Sequence, residues 1–240
     1  LHYKRKDNKI VKPDQRPLKI DYDRYVTIKN HLKEMNYDPK KLYFKSKFNV
    51  VDVGFNSIFL KALKDLVFLL DQINKRSSFL KKYILLNEKK LIKLFNSKKM
   101  TFKNKDLKNN TSIEIPSITN FFMLFSDLKN KSVNKNLIKS LKKYCKNENY
   151  LFPSINSRHK SFEEKRYWRG PVWINCNWII YQGLKNKDKS FAEMIRKKTI
   201  NLVEKKKFRE YYSCKSGLGM GAKNFSWSAA LYLDFVLNRS

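Results

Sequence analysis

The stretch Tyr167–Leu184, which reads YWRGPVWINCNWIIYQGL, constrains the fold of this chain more than any other. It holds three of the four tryptophans of the chain and an Arg-Gly-Pro triplet. This triplet cannot lie inside a helix, because proline lacks a backbone N–H and pushes the residue before it toward extended geometry. Proline does suit the first turn of a helix. The stretch therefore predicts a loop, a sharp turn at Pro171 and a buried helix from Val172, with Trp168 and Arg169 at its N-terminal end.

The tryptophans at this turn have two possible roles. Aromatic faces beside a guanidinium and a helix N-terminus suit a sugar ring that carries hydroxyl or carboxylate groups. Tryptophans five positions apart, such as Trp168 and Trp173, more often belong to a hydrophobic core. On the residues alone, packing in a core is therefore the commoner explanation, and sugar binding is the alternative hypothesis.

The composition of the 240-residue chain indicates a globular, mainly helical protein. Hydrophobic residues make up 42% of the chain and aromatic residues 14%, which favours a packed core over disorder. Six glycines and six prolines are few for an all-β chain of this length. No apolar run reaches the roughly 18 residues of a membrane-spanning helix, so we expect no membrane span.

The three cysteines, Cys145, Cys176 and Cys214, fit neither a disulfide framework nor the spacing of zinc ligands. We therefore expect a reducing, cytoplasmic setting and no metal or other cofactor. The chain begins with Leu1 rather than with methionine, from which we expect it to be a piece of a longer protein.

The formal charge of +32 raises the question of an anionic partner. A strongly basic chain can bind nucleic acid or an anionic membrane surface. Here lysine far outnumbers arginine and is spread over most segments, as a bias toward AT-rich codons would leave on solvated helix faces. We therefore expect neither a nucleic-acid nor a membrane partner. A basic helical protein that binds without catalysis is the alternative from another functional class.

The spacing of apolar residues predicts helices separated by irregular segments. The clearest is Phe55–Ile73, where apolar residues recur every three or four positions and form one stripe. The other predicted helices are Asp21–Met35, Phe79–Phe95, Ile118–Leu128, Asn134–Asn147, Phe191–Lys206 and Phe225–Leu237. Irregular or short extended segments are predicted at Phe48–Val53, Met100–Ser117 and Leu151–Lys165. Alternating helices and loops without an internal repeat predict antiparallel helix pairs, as in a bundle or a closed helical toroid.

A second unusual segment, Phe208–Ala230, combines a carboxylate with alternating glycines. Gly217, Gly219 and Gly221 follow no predicted strand, and no Gly-Lys-Ser/Thr comes after them, so we expect a flexible loop rather than a phosphate-binding loop. Glu210 lies among aromatic residues, where a carboxylate can serve acid–base chemistry. A partly buried glutamate with a local partner is the commoner explanation of such a residue.

Together these segments resemble glycoside hydrolase family 63. The similarity is carried by YWRGPVWIN…NW…GL, followed by EYY…G.G.G…NFSWSAAL. The N-terminal part agrees with the expected order of motifs at Arg5, Asp7, Arg16–Pro17, Tyr22–Tyr25, Asp52 and Phe55–Asn56. Within this family the likeness is greatest to the mannosylglycerate and glucosylglycerate hydrolases, and it covers nearly the whole chain.

The resemblance implies an all-α fold, an (α/α)6 toroid whose central cavity binds a glycoside. Residues 1–240 would form a single partial catalytic domain, the C-terminal half to two-thirds of the toroid, with its N-terminal part missing. The implied activity is inverting hydrolysis of a small α-glycoside such as mannosylglycerate or glucosylglycerate. The alternative within the superfamily is an oligosaccharide α-glucosidase, and the hexose and its aglycone are left open by the sequence.

The resemblance also implies roles for particular residues. Glu210 matches the general base that activates water. The residues that match the sugar-binding loop and the helix behind it are Tyr167, Trp168, Arg169, Gly170, Trp173 and Asn177. The general acid of the family is an aspartate upstream of the motif at Arg5, so we expect the missing N-terminal half to supply it. Asp7 matches a different position and is not expected to take that role.

Overall fold

The structure, a computed structural model, describes residues 3–237, and this part of the chain is mainly helical. Its α-helices are α1 (Lys19–Glu34), α2 (Pro39–Lys45), α3 (Val53–Gln72), α4 (Ser78–Ile92), α5 (Lys131–Tyr144), α6 (Ile174–Leu184), α7 (Lys189–Lys206) and α8 (Ser226–Leu237). Short 3-10 helices lie at Asp7–Lys9, Pro13–Gln15, Ile118–Leu124 and Tyr167–Arg169. No described helix is both long and apolar enough to cross a membrane.

The strands of the described residues form three small antiparallel sheets. They are β1 (Val50–Val51), β2 (Phe95–Asn96), β3 (Thr101–Phe102), β4 (Asn104–Asp106), β5 (Thr111–Ile113), β6 (Arg209–Tyr212) and β7 (Gly219–Lys223). The sheets join β1, β4 and β5, then β2 and β3, and finally β6 and β7. The short extended segments predicted at Phe48–Val53 and Met100–Ser117 therefore contain strands β1 and β3 to β5.

Polar side chains fix where two of the helices begin. Asp52 accepts a hydrogen bond from the N–H of Phe55 at 2.7 Å, and Asn130 accepts one from the N–H of Val133 at 3.0 Å. Aspartate and asparagine are favoured at this position because they satisfy an N–H that has no partner within the helix. These caps explain why α3 and α5 begin two or three residues before their predicted starts.

Helix α6 occupies the centre of the core. It contacts α7, α8 and the 3-10 helix Ile118–Leu124, and eight of its eleven residues are buried. Gly183 permits the closest approach, because a Cβ at this position would lie 2.7 Å from the backbone carbon of Leu124. The helix predicted after the Arg-Gly-Pro turn is therefore present, and it is buried as expected.

The predicted start of that helix at Val172, with Pro171 in the first turn, is wrong. Val172 is extended and exchanges two backbone hydrogen bonds with Tyr212 of β6, at 2.7 and 2.9 Å. Its backbone therefore cannot join the helix, which begins at Ile174. The Arg-Gly-Pro turn thus leads into a short extended segment beside β6, and this segment positions the loop that precedes it.

Two other predictions are corrected by the structure. The helix predicted at Ile118–Leu128 is a shorter 3-10 helix, Ile118–Leu124, in which six of seven residues are buried between α3 and α6. The glycine-rich segment predicted as a flexible loop supplies strand β7, because Gly219–Lys223 pairs with β6.

The apolar stripe predicted on α3 does not face the core of the described structure. The buried residues of α3 are Val53, Gly54, Ser57 and Leu60. Most of the stripe is exposed together with side chains of α4, and we call this surface the outer apolar face. It consists of Phe55, Ile58, Phe59, Leu66, Leu69, Ile73, Phe79, Leu85 and Leu86. Phe55 is 72% exposed, and so many exposed large apolar side chains on two adjacent helices are typical of an interaction site.

Candidate active site

Hairpin β6–β7 holds Glu210 at a break in its regular pairing. Between Arg209 and Tyr211 the register shifts, so that Gly221 and Ala222 of β7 oppose the single residue Glu210. Such a β-bulge bends the strand and redirects the side chains around it. Gly221 has a φ of +67°, and a Cβ there would lie 2.5 Å from Oε2 of Glu210. Only glycine therefore combines this backbone conformation with room for the carboxylate.

The Glu210 carboxylate is buried and has three hydrogen bonds. Arg16 donates from Nη1 to Oε1 at 2.9 Å and from Nη2 to Oε2 at 2.7 Å. The backbone N–H of Ala222 donates to Oε2 at 2.9 Å. Parallel hydrogen bonds between a guanidinium and a carboxylate are strong and fix the orientation of both groups. Glu210 is therefore held in one position rather than left free in solvent.

The segment that carries Arg16 is fastened to the hairpin on both sides. The hydroxyl of Tyr211 donates to the carbonyl oxygen of Gln15, and the N–H of Gly221 donates to its side-chain Oε1 at 2.9 Å. Nη1 of Arg166 donates to the carbonyl oxygen of Arg16 at 2.9 Å. These contacts bring the N-terminal segment against the hairpin that carries the carboxylate.

The loop before the Arg-Gly-Pro turn folds back on itself. The N–H of Glu163 donates to the carbonyl oxygen of Arg169 at 2.9 Å, and Nη1 of Arg169 donates to the Glu163 carboxylate at 3.2 Å. A Cβ at Gly170 would lie 2.4 Å from the carbonyl oxygen of Glu163, so the fold-back needs glycine. The extended segment after the turn then pairs with β6, which places this loop next to the strand that carries Glu210.

The loop presents Trp168 with one face open. Trp168 stacks on Trp173 with 3.9 Å between ring centroids and 4° between ring planes. Trp168 is 39% exposed, whereas Trp173 is 2% exposed and packs against Tyr211 on the hairpin. The indole N–H of Trp173 donates to the carbonyl oxygen of Tyr167 at 3.1 Å, which ties the loop to the core. Trp173 therefore supports Trp168 from behind.

A cleft of about 450 Å³ opens beside this tryptophan. Its lining residues are Pro17, Asp21, Tyr25, Arg166, Tyr167, Trp168 and Arg169. Its volume lies within the usual range for small-ligand pockets. Asp21 is buried, accepts from the N–H of Leu18 at 3.0 Å and lies 3.7 Å from Nη2 of Arg169. The cleft thus combines an aromatic surface with charged groups of both signs, which suits a polar ligand with a flat ring face.

Burial and charge shift the pKa values of the groups around the carboxylate. Burial alone would lower the pKa of Arg16, but the hydrogen bonds and charge of Glu210 outweigh it and raise that pKa. Burial raises the pKa of Tyr167, and the negative charge of Glu210 adds to the effect. Burial also raises the pKa of Tyr211. At neutral pH the carboxylate therefore has one cation and two uncharged phenols as neighbours.

The loop residues predicted to bind the sugar lie together. Tyr167, Trp168 and Arg169 line the cleft, and Gly170 is buried at the turn behind them. Tyr167 also connects the cleft to the carboxylate, because the guanidinium of Arg16 lies over its ring, 5.3 Å from the centroid. Their roles in substrate binding stay predictions.

The two residues predicted on the helix behind the loop are deeply buried. Trp173 is covered by Trp168 on one face, and Asn177 donates from Nδ2 to the hydroxyl of Thr199 on α7 at 3.1 Å. Their assignment to substrate binding also stays a prediction. Buried in this way, both residues can affect a ligand only through their neighbours.

Sequence reasoning missed Arg16 and Asp21 as members of the site. The Arg16–Pro17 pair and the acidic residues of the predicted first helix were visible as motifs, but nothing in their spacing relates them to Glu210 or Arg169. The partner of Arg16 lies 194 residues away in the chain. Only the folded arrangement brings these residues together.

Residues 3–237 contain no group of three or more His, Cys, Asp or Glu side chains arranged to hold a metal ion. The thiols of Cys145, Cys176 and Cys214 are free. Burial raises the pKa of Cys145 to about 11 and that of Cys214 to about 12. Because the thiolate is the reactive form, neither thiol is poised for nucleophilic chemistry at neutral pH.

Comparison with known proteins identifies relatives that match nearly the whole chain. A family model for the mannosylglycerate hydrolase MGH1-like glycoside hydrolase domain matches residues 2–228. A mannosylglycerate hydrolase from Thermus thermophilus is 36% identical over 234 residues, which are 96% of this chain and 56% of that protein. A glucosylglycerate hydrolase from Mycolicibacterium hassiacum is 25% identical over 244 residues, which are 98% of this chain and 55% of that protein.

Solved structures indicate the same family as the sequence comparisons. The crystal structure of a GH63 mannosylglycerate hydrolase from Thermus thermophilus in complex with Tris superposes with a TM-score of 0.94 and 34% identity. The match covers 99% of this chain and 57% of that one, so the chain spans about half the length of the relatives that it matches. This similarity confirms the predicted helical fold of glycoside hydrolase family 63. With the family model matching nearly its whole length, the chain belongs to the mannosylglycerate hydrolase MGH1-like family of glycoside hydrolases.

Proposed function

We propose that this chain supplies the general base and part of the sugar-binding surface of an inverting glycoside hydrolase. The substrate is a small α-glycoside such as mannosylglycerate or glucosylglycerate, the compounds after which two relatives are named. The observation that carries the proposal is the buried carboxylate of Glu210, fixed by Arg16, whose guanidinium lies over the ring of Tyr167 in the cleft that exposes Trp168.

The proposed chemistry uses two carboxyl groups on opposite sides of the scissile bond. Glu210 removes a proton from water while the water oxygen attacks the anomeric carbon and inverts its configuration. At the same time a carboxylic acid protonates the oxygen of the leaving aglycone as its bond to that carbon breaks. The acid is an aspartate from the remaining part of the protein, roughly 6.5–9.5 Å from Glu210 in this mechanism.

We further propose that residues 1–240 are a single, partial catalytic domain, and that the missing N-terminal half of the same protein covers the outer apolar face. Two observations support this partner. The chain spans about half the length of its relatives, and α3 and α4 expose large apolar side chains to solvent. The three free thiols support a reducing compartment, for which we propose the cytoplasm.

The experiment that tests this function uses the full-length protein and a panel of glycosides. The panel contains mannosylglycerate, glucosylglycerate and an α-glucosyl oligosaccharide, and proton NMR follows the anomer that is released first. Inverting hydrolysis of an α-glycoside releases the β-anomer. Release of the α-anomer would contradict the proposed mechanism. If only the oligosaccharide is hydrolysed, the protein is an oligosaccharide α-glucosidase instead.

Replacing Trp168 tests whether its exposed face binds sugar. We expect Trp168→Ala to raise KM and to change the melting temperature little, because one face of the ring is open to the cleft. Truncating a buried Trp costs about 3–5 kcal/mol, so a core role would instead lower the melting temperature strongly. Trp168→Phe is the matched control, since it keeps an aromatic face and should keep KM closer to that of the native protein. A normal KM together with a large loss of stability would show that Trp168 only packs.

A further inference from the structure

We propose that Arg16 is a positioning residue for the reaction: its guanidinium holds the Glu210 carboxylate so that Oε1 faces the attacking water. This inference rests on the proposed function, because it concerns how the proposed general base, Glu210, is oriented. Neither the spacing of the sequence nor the roles implied by the resemblance include Arg16 among the site residues.

The hydrogen bonds of the carboxylate are uneven between its two oxygens. Oε2 accepts from Nη2 of Arg16 and from the N–H of Ala222, whereas among residues 3–237 Oε1 accepts only from Nη1 of Arg16. A carboxylate oxygen has about two lone-pair directions, so both on Oε2 are used and one on Oε1 is free. Oε1 is therefore the atom that can accept a proton from water, and Arg16 and Ala222 determine where it lies.

Within the described residues, the guanidinium of Arg16 has no second carboxylate to bind. Its two Nη atoms donate to Glu210, and its buried Nε has no hydrogen-bond partner. The ring of Tyr167 lies beside its planar face, and Arg166 holds its backbone carbonyl. The side chain is thus locked in place by its surroundings, and its hydrogen bonds are directed at Glu210 alone.

Holding a general base in one orientation matters because proton transfer depends on geometry. A misplacement of about 1 Å at a reacting group can lower the rate on the order of a hundredfold. The planar fork of arginine fixes the carboxylate plane through two parallel bonds, whereas lysine offers a point charge without that plane. Removing Arg16 therefore frees Glu210 to rotate, while the cleft that binds the sugar stays formed by other residues.

The test compares Arg16→Ala, Arg16→Lys and the native sequence in the full-length protein, with glycoside hydrolysis and thermal unfolding as measurements. We expect Arg16→Ala to lower kcat on the order of a hundredfold with KM nearly unchanged. Arg16→Lys should keep an intermediate kcat. Free guanidinium, added below denaturing concentrations, should restore part of the kcat of Arg16→Ala by occupying the vacated site.

The matched control is Arg196→Ala. Arg196 is also largely buried and donates to both oxygens of one carboxylate, that of Glu193, at 2.8 and 3.0 Å, but both residues lie on α7. This variant can lose stability, but its kcat should stay native and should not respond to guanidinium. A native kcat in Arg16→Ala or Arg16→Lys would overturn the positioning role. A native full-length protein that hydrolyses none of the glycosides would instead overturn the proposed function.

Discussion

Replacing Glu210 with glutamine in the full-length protein is expected to lower kcat at least about a hundredfold, with little change in KM. Glutamine has nearly the same shape as glutamate but cannot accept the proton of the attacking water. The sugar contacts proposed for the Trp168 loop are left in place, which is why binding should persist. Hydrolysis kinetics on mannosylglycerate and glucosylglycerate measure the two parameters separately.

The same substitution should also destabilise the protein. Arg16 would keep its buried charge while losing the negative charge that now faces it, and breaking one side of such a pair is costly. Thermal unfolding of Glu210→Gln therefore accompanies the kinetics, so that loss of folded protein is not taken for loss of chemistry. Kinetic constants are calculated per folded molecule.

Two further variants test whether the loss of activity comes from the missing base. Azide needs no deprotonation, so it should restore turnover in Glu210→Ala, where the base is absent and space is free. Glu164→Gln is the matched control on the neighbouring loop, since Glu164 accepts a hydrogen bond from Ser213, whereas the ion pair of Arg16 is with Glu210. Its kcat should remain native. Turnover close to native in Glu210→Gln would place the base elsewhere.

The second large effect concerns the chain on its own. We expect residues 1–240, expressed alone, to show no glycoside hydrolysis and to self-associate. The leaving oxygen departs only when it is protonated, and in the proposed mechanism the acid belongs to the remaining part of the protein. The outer apolar face would be exposed to water, which favours aggregation or pairing. Light scattering after size-exclusion chromatography measures the association, and the glycoside panel measures activity.

A double substitution, Leu69→Lys with Ile73→Lys, tests whether the outer apolar face causes self-association of the isolated chain and whether it is buried in the full-length protein. In the isolated chain it should increase the monomeric fraction, because it places charges on an exposed apolar surface. In the full-length protein it should lower the melting temperature, because the same charges would then be buried at the junction. Lys197→Ala on α7, also exposed, is the control and should do neither. A monomeric, active wild-type chain of 240 residues would contradict the proposal.

The sequence predicted the presence of most helices, because their apolar spacing is local information. It failed where a contact between distant residues decides the structure. Val172 is extended because Tyr212 pairs with it, and Gly219–Lys223 is a strand because it pairs with β6. The stripe on α3 was recognised correctly as apolar. Apolar periodicity indicates that one face of a helix packs against other residues, but it does not indicate which residues these are.

The residues of the candidate site also differ in whether the sequence alone reveals them. Trp168, Arg169 and Glu210 were singled out because their residue types are unusual in their local surroundings, and resemblance to a family then gave each a role. Arg16 carries no local signal of that kind, since an arginine before a proline looks like an ordinary loop residue. Its importance appears only in its two hydrogen bonds to Glu210.

The contact between the Gln15–Arg16 segment and hairpin β6–β7 has a consequence for how the protein folds. It joins residues 194 and 206 positions apart, among the most non-local contacts that a chain of this length can make. Non-local contacts form late, since much of the intervening chain must first be ordered. Helices can therefore appear early in refolding while Glu210 is still an unrestrained carboxylate. When the full-length protein refolds, hydrolytic activity should return after the helical circular dichroism signal, and the interval between the two includes the time that these two segments need to meet.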